Sequence, residues 1–180
     1  NDFAVLAFRG TEVKKKKDVL TDLRATQIAA IEGGVHKGFQ AAYDSVKDEI
    51  EKSLSTLDKK LPIYITGHSL GAALATVATQ NLDQASKFRD RIAACYTFGS
   101  PRVGNTKYDR AFKAPIYRMV NTTDIVTVIP LLAMGYVHIG DIRYLGRTPG
   151  EFTRQIPFFL RSFLFLFALF RLFGPWVGDH

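Results

Sequence analysis

The chain has 180 residues, a formal net charge of +7 and hydrophobic residues at 47% of its positions. This length predicts one domain with a sizeable core, and the composition is ordinary for a globular protein. The positive charge favours anionic surfaces, but no segment resembles a nucleic-acid-binding module, so we expect no nucleic-acid partner. The single cysteine, Cys95, lies in an apolar run, which predicts a buried thiol and excludes an intramolecular disulfide.

Apolar runs and helical stretches alternate along the chain. A first short run, Phe3–Phe8, predicts a strand buried on both faces. An amphipathic helix follows over about Gln40 to Lys60, ended by Pro62. Its inward stripe is predicted to comprise Phe39, Ala42, Val46, Ile50, Leu54, Leu57 and Leu61. Further strands are predicted over Ile92–Phe98 and Ile116–Asn121, with a possible edge strand over Ile142–Leu145. This alternation indicates an α/β protein with a mostly parallel sheet and helices on both faces.

One stretch, from Ile63 to Ala75, combines an apolar strand, a G-x-S-x-G turn and a helix rich in small residues. Such a turn lifts a serine hydroxyl, here that of Ser69, above the sheet. Gly67 and Gly71 remove side chains where the strand and helix cross closely. Because Ser69 precedes the helix, the amide of Leu70 and the helix dipole point towards an oxyanion formed there. A chance match to the five-residue pattern remains the alternative at this point.

Several polar residues follow predicted strands directly: Thr11, Ser69, Ser100 and Asp124. In a parallel sheet these positions lie at one edge, where functional groups gather. A nucleophilic serine needs a histidine base and a carboxylate, in the order serine, acid, histidine for this type of turn. Asp124 is the best placed acid, because Asp109, Asp141 and Asp179 lack its setting after a strand. The two histidines downstream of Ser69 are His138 and His180.

Separated motifs along most of the chain resemble the class 3 lipases, the fungal lipase and feruloyl esterase-like family. The motifs are Ala7–Thr11, Asp18–Leu23, Val35–Phe39, Gly67–Ala75, Thr97–Asn105, Asn121–Val126, Pro130 and Gly135–Gly140. Their number makes a chance match to the G-x-S-x-G pattern alone a poor explanation.

The resemblance implies an α/β-hydrolase fold and a single catalytic domain over residues 1–180, lacking N-terminal and C-terminal residues of the family. It implies Ser69 as nucleophile and Asp124 as triad acid, with Thr11 and the Leu70 amide forming the oxyanion hole. His180, in Asp179-His180, is the favoured base, and His138 is the alternative. His36 and His68 are expected to be structural. No metal or organic cofactor is expected.

The function implied is a serine carboxylic ester hydrolase, a lipase that cleaves acylglycerols through an acyl-enzyme on Ser69. Two alternatives stay open: an esterase on small soluble esters, and a non-catalytic lipid-binding module on a hydrolase fold. By the resemblance, the lysine run Lys14–Lys17 falls in the lid region, where it is either a solvated loop or a contact for anionic headgroups.

The apolar segment Ile156–Phe173 contains seven of the 14 phenylalanines and is closed by Gly174 and Pro175, as a helix would be. It is too short, and too interrupted by arginine, for a transmembrane span. Since it is apolar all round, we expect a helix that is buried in protein, covered by another chain or in contact with lipid.

Overall fold

The computed structural model describes residues 2–10, 26–85, 87–120, 134–145 and 152–154. Several of the features named above lie outside these ranges: Thr11, Lys14–Lys17, Asp18–Leu23, Asn121–Val126 with Asp124, Pro130, Ile156–Phe173, Asp179 and His180. The described ranges contain both the predicted serine turn and the strands around it, so the frame of the site can be followed residue by residue.

The described chain forms a six-stranded sheet and a separate hairpin. The strands are β1 (Ala4–Phe8), β2 (Gln27–Ala29), β3 (Gly34–His36), β4 (Ile63–His68), β5 (Ile92–Phe98), β6 (Ile116–Val120), β7 (Asp141–Leu145) and β8 (Phe152–Thr153). The helices are α1 (Lys37–Asp44), α2 (Lys47–Ser55), α3 (Leu70–Gln84) and α4 (Thr106–Asp109), with a 3-10 turn at Arg89–Arg91. The sheet order is β1-β4-β5-β6-β7-β8, and only the β7–β8 pairing is antiparallel. The predicted mostly parallel sheet is therefore confirmed.

One face of this sheet is packed against α3. Ile63, Ile65 and Cys95 point to this side and are fully buried, because period-two alternation places every second residue of β4 and β5 under the helix. The small residues Ala72, Ala73 and Ala75 allow α3 to lie close to the strands. Cys95 is fully buried, so the prediction of a buried thiol is confirmed, and this burial raises the pKa of the thiol to about 12.

The opposite face of the sheet is more exposed, which corrects one expectation for β1. The burial of β1 alternates along the strand, and Val5 is 55% exposed. The prediction that this strand is buried on both faces was wrong for the described structure. Among the described elements, α3 is the helix that packs broadly on the six-stranded sheet, and it lies on the other side.

The long helix predicted over Gln40–Lys60 is two helices in the structure. Ser45 ends α1, its hydroxyl donating to the Ala42 carbonyl at 2.8 Å, and Val46, at φ −124° and ψ 0°, leaves the helical region. The chain therefore changes direction where a single apolar stripe was expected. The inward residues of α1 are Phe39, as predicted, and Tyr43, whereas Ala42 is exposed.

The shortest strands, β8 and the β2–β3 pair, differ from what the sequence predicts. The predicted edge strand is β7, but β8 pairs outside it, so β8 is the edge at that side. The β2–β3 hairpin was not predicted, because three-residue strands carry too little periodicity to be recognised. None of the helices in the described ranges is long and apolar enough to cross a membrane.

Candidate active site

Ser69 occupies the turn between β4 and α3 in a conformation that few residues adopt. Its φ is 57° and its ψ is −123°, and it is the one non-glycine residue at positive φ among the described residues. Such a conformation costs of order 1–3 kcal/mol and persists only where surrounding structure imposes it. The turn therefore has the strained geometry of a nucleophile elbow, as the G-x-S-x-G pattern predicts.

Two glycines make this turn possible because the backbone on either side is too close for a side chain. A Cβ on Gly67 would lie 2.2 Å from the carbonyl oxygen of Gly71. A Cβ on Gly71 would lie 2.3 Å from the carbonyl oxygen of Phe8. Helix α3 thus begins in direct backbone contact with both β4 and the end of β1.

A third glycine, Gly10, brings the loop after β1 against the elbow. A Cβ there would lie 2.4 Å from the His68 carbonyl oxygen and 3.6 Å from the Ser69 Cβ. Gly10 belongs to the Ala7–Thr11 motif, but its role as a contact with the elbow was not predicted. The signal was present in the sequence as a glycine directly after the strand. This contact places the residue before Thr11 beside Ser69, while Thr11 itself lies outside the described residues.

Backbone hydrogen bonds hold Ser69 in place. Its N–H donates to the Phe98 carbonyl at 2.9 Å, which ties the elbow to the carboxyl end of β5. Its carbonyl accepts from the N–H of Ala72 at 2.9 Å and of Ala73 at 3.3 Å. The Leu70 N–H, at the first residue of α3, is not consumed by the intrahelical ladder. A free amide of this kind beside a serine is what an oxyanion hole requires.

His138 lies in a cationic environment before β7. Burial, followed by the positive charges of Arg118 and Arg102, lowers the pKa of this histidine to about 2. Its Nδ1 is buried and accepts no hydrogen bond from the described residues. Arg118 is itself only 6% exposed. Neither arginine was recognised as a neighbour of His138 from sequence, because they come from the loop after β5 and from β6.

The other two described histidines are His36 and His68, and contacts of the first explain it without catalysis. His36 caps α1, its Nδ1 accepting the Gly38 N–H at 3.1 Å, and its ring lies 4.3 Å from that of Phe39. His68 ends β4 with an exposed side chain. Ser100, the other serine after a strand, is buried, and its hydroxyl donates to the Pro101 carbonyl at 3.0 Å. Within the described ranges, no cluster of three His, Cys, Asp or Glu side chains could hold a metal.

A comparison with protein-family models matches residues 5–134 to Lipase (class 3). The chain is 34% identical over 159 residues to the secreted mono- and diacylglycerol lipase A of Penicillium cyclopium, covering 85% of this chain and 51% of that protein. It is 36% identical over 114 residues to a lipase of Rhizomucor miehei, covering 59% of this chain and 31% of that protein. The chain thus spans about half the length of the first of these relatives.

Solved structures give the same result for the fold. The lipase of Rhizopus microsporus var. chinensis superposes with a TM-score of 0.69 at 31% identity, over 80% of this chain and 53% of that chain. The Rhizomucor miehei lipase propeptide complex superposes with a TM-score of 0.71 at 28% identity, over 82% and 50%. The predicted α/β-hydrolase fold is therefore confirmed. With the family model matched over residues 5–134 and the elbow folded as that family requires, the chain belongs to the class 3 lipase family.

Proposed function

We propose that this protein is a serine carboxylic ester hydrolase, a lipase that cleaves acylglycerols through an acyl-enzyme on Ser69. The observation that carries the proposal is the positive φ of Ser69 between β4 and α3. A strained serine at a helix N-terminus, beside an unconsumed amide, has no structural purpose in this turn, because a glycine would hold the same backbone without strain.

The proposed reaction follows the serine-hydrolase scheme. His180 takes the Ser69 proton while the serine oxygen attacks the ester carbonyl, and the amides of Thr11 and Leu70 bind the oxyanion. The carbonyl reforms as the alkoxide leaves and takes the proton from His180. Water then attacks the acyl-enzyme while His180 takes its proton. The ester bond to Ser69 breaks, His180 returns the proton to the serine oxygen, and the fatty acid leaves. Asp124 orients His180 and stabilises its imidazolium.

The environment of His138 supports the choice of His180. A general base must carry a positive charge in the transition state. Burial of His138, and after it the positive charges of Arg118 and Arg102, oppose that charge and lower the pKa of His138 to about 2. The position of Gly10 supports Thr11 as the second oxyanion donor, since a Cβ on Gly10 would lie 3.6 Å from the Ser69 Cβ and the chain directly before Thr11 therefore runs beside the elbow.

The substrate class rests on the relatives. Those reported above are named as a mono- and diacylglycerol lipase and as a lipase. We therefore propose acylglycerols as substrates and a lipid–water interface as the site of action, with Lys14–Lys17 as the candidate contact with that interface. Hydrolysis of short soluble esters in preference to emulsified long-chain acylglycerols would instead identify an esterase.

The decisive experiment compares the two serines that follow neighbouring strands. Ser69→Ala should lower the hydrolysis of a p-nitrophenyl ester by about 10⁴-fold or more, whereas Ser100→Ala should retain activity within about tenfold. A fluorophosphonate should label Ser69, identified by peptide mass spectrometry. Absence of hydrolysis and of labelling in the folded wild-type protein would overturn the proposal in favour of a non-catalytic lipid-binding module.

The two histidines are separated in the same assay. His180→Ala should reduce kcat by several orders of magnitude, and His138→Gln should leave kcat within about tenfold. The reverse result would assign the base to His138 and would contradict the role proposed for the last residue of the chain.

A further inference from the structure

The sheet face opposite α3 carries most of the exposed large apolar side chains of the described residues. Of the seven large apolar side chains that are exposed, five lie on this face. Strand register places them there, because residues paired across neighbouring strands point to the same side. We call this surface the open face; its exposed members are Phe3, Val5, Phe98, Leu145 and Phe152.

Half-buried tyrosines fill the centre of the open face. The rings of Tyr64 and Tyr96 lie 6.4 Å apart between centroids, and those of Tyr96 and Tyr117 stack at 5.3 Å. The Arg143 guanidinium lies 5.3 Å from the centre of the Tyr117 ring. A parallel sheet with this composition is built to be covered on both faces, and α3 covers only the other one.

We propose that the Phe-rich segment Ile156–Phe173 of the same chain packs on the open face as a helix. The segment is apolar all round, so it also needs a covering surface. Chain connectivity favours this occupant over a second copy or a lipid. The chain leaves β8 at Arg154, at the edge of the open face, and only Gln155 separates it from the segment. So short a tether gives a millimolar effective concentration, which a separate molecule at micromolar concentration does not reach.

The dimensions of the segment fit the surface. As a helix, Ile156–Phe173 is about 27 Å long, at about 1.5 Å per residue. A diagonal from the β8 edge across to β5 covers about 14 Å between strands and about 18 Å along them, which is about 23 Å in total. The segment is therefore long enough to cross the tyrosine-filled centre of the open face.

The direction of β8 sets the direction of the segment. Because β8 runs antiparallel to β7, the chain leaves it heading towards the amino ends of the parallel strands. The pairings of Thr153 with Tyr144 and of Tyr144 with Val120 place this exit at the carboxyl ends of the strands. A helix that continues in the same direction therefore runs across the tyrosines of the open face.

The test is a photo-cross-link from the open face, in monomeric protein without lipid. Phe98 is replaced by p-benzoyl-phenylalanine, and the same probe replaces Ile31, an exposed apolar residue outside the open face, as the matched control. The probe at position 98 should form an intramolecular adduct with a peptide from Ile156–Phe173. The probe at position 31 should not. A dimer-sized adduct, an adduct elsewhere in the chain, or adducts only with added phosphatidylserine vesicles would overturn the proposal.

The cross-link is independent of catalysis and should form unchanged in a Ser69→Ala background, so an inactive protein does not affect its outcome. Should the probe disturb folding, hydrogen exchange on the unmodified protein gives the same answer. The amides of Ile156–Phe173 should be protected in lipid-free monomer and should lose that protection in Phe98→Glu, but not in Ile31→Glu. Rapid exchange of the segment in the wild-type monomer would contradict packing on the open face.

Discussion

The two faces of the central sheet differ in how their residues are held. On the face of α3, buried Ile63, Ile65 and Cys95 meet a helix that begins in backbone contact with two strands. On the open face, tyrosine rings stack on one another with exposed apolar side chains around them. The first face fixes the elbow, because the same helix contact imposes the geometry of Ser69. The second face, by our proposal, is covered by Ile156–Phe173 of the same chain.

The contrast between the faces is tested most strongly by truncating one side chain on each. Ile65→Ala should lower the free energy of unfolding by about 2–5 kcal/mol, because it leaves a cavity under α3. Val5→Ala should lower the free energy of unfolding by less than about 1.5 kcal/mol, since Val5 is 55% exposed. Reversible urea unfolding measures both values. Equal costs would show that the two faces are packed alike.

The contact between helix and strand is tested by adding a methyl group to it. Gly71→Ala should lower the free energy of unfolding by about 2–3 kcal/mol and reduce ester hydrolysis, because its Cβ would meet the Phe8 carbonyl oxygen at 2.3 Å. The control is Gly38→Ala in α1, where the nearest atom is Cε1 of the His36 ring at 3.2 Å. That variant should change stability by less than about 1 kcal/mol. A Gly71→Ala protein with full activity would refute the role assigned to this contact.

A charge placed on the open face sharpens the comparison further. Phe98→Glu should lower the free energy of unfolding by about 1–2 kcal/mol, because the carboxylate would be desolvated beneath the proposed helix. Ile31→Glu, at a more exposed apolar residue, should stay within about 0.5 kcal/mol of the wild type. Urea unfolding of the two variants side by side gives the comparison. Equal, negligible effects would indicate that nothing covers the open face.

The last predicted effect concerns His138, whose Nδ1 is buried. With the pKa of His138 near 2 in the folded protein and 6.5 when unperturbed, the unfolded chain binds more protons below about pH 6.5. Stability should therefore fall as pH falls, by about 1.6 kcal/mol between pH 6.5 and 5. His138→Gln should reduce this slope while His68→Gln, at an exposed histidine, should not. Thermal unfolding across this pH range measures it, and an unchanged slope in His138→Gln would contradict the buried neutral imidazole.

The sequence was most informative where a local pattern had a local cause. The Ile63–Ala75 stretch predicted the strand, the turn and the helix, because glycine and alanine requirements there arise from contacts within a few residues. The helix over Gln40–Lys60 was predicted less well. Apolar residues at steps of three and four continue across Ser45 and Val46. Such a pattern therefore gives no sign that the chain changes direction between the two helices.

The sequence by itself thus determined the elbow and the mostly parallel character of the sheet, since these depend on local spacing and chain alternation. Only the tertiary structure decided that Arg118 and Arg102 surround His138, that Gly10 contacts the elbow, and that one face of the sheet stays open. These features join residues far apart in the chain. Their physical basis is the register between strands, which no single stretch of sequence specifies.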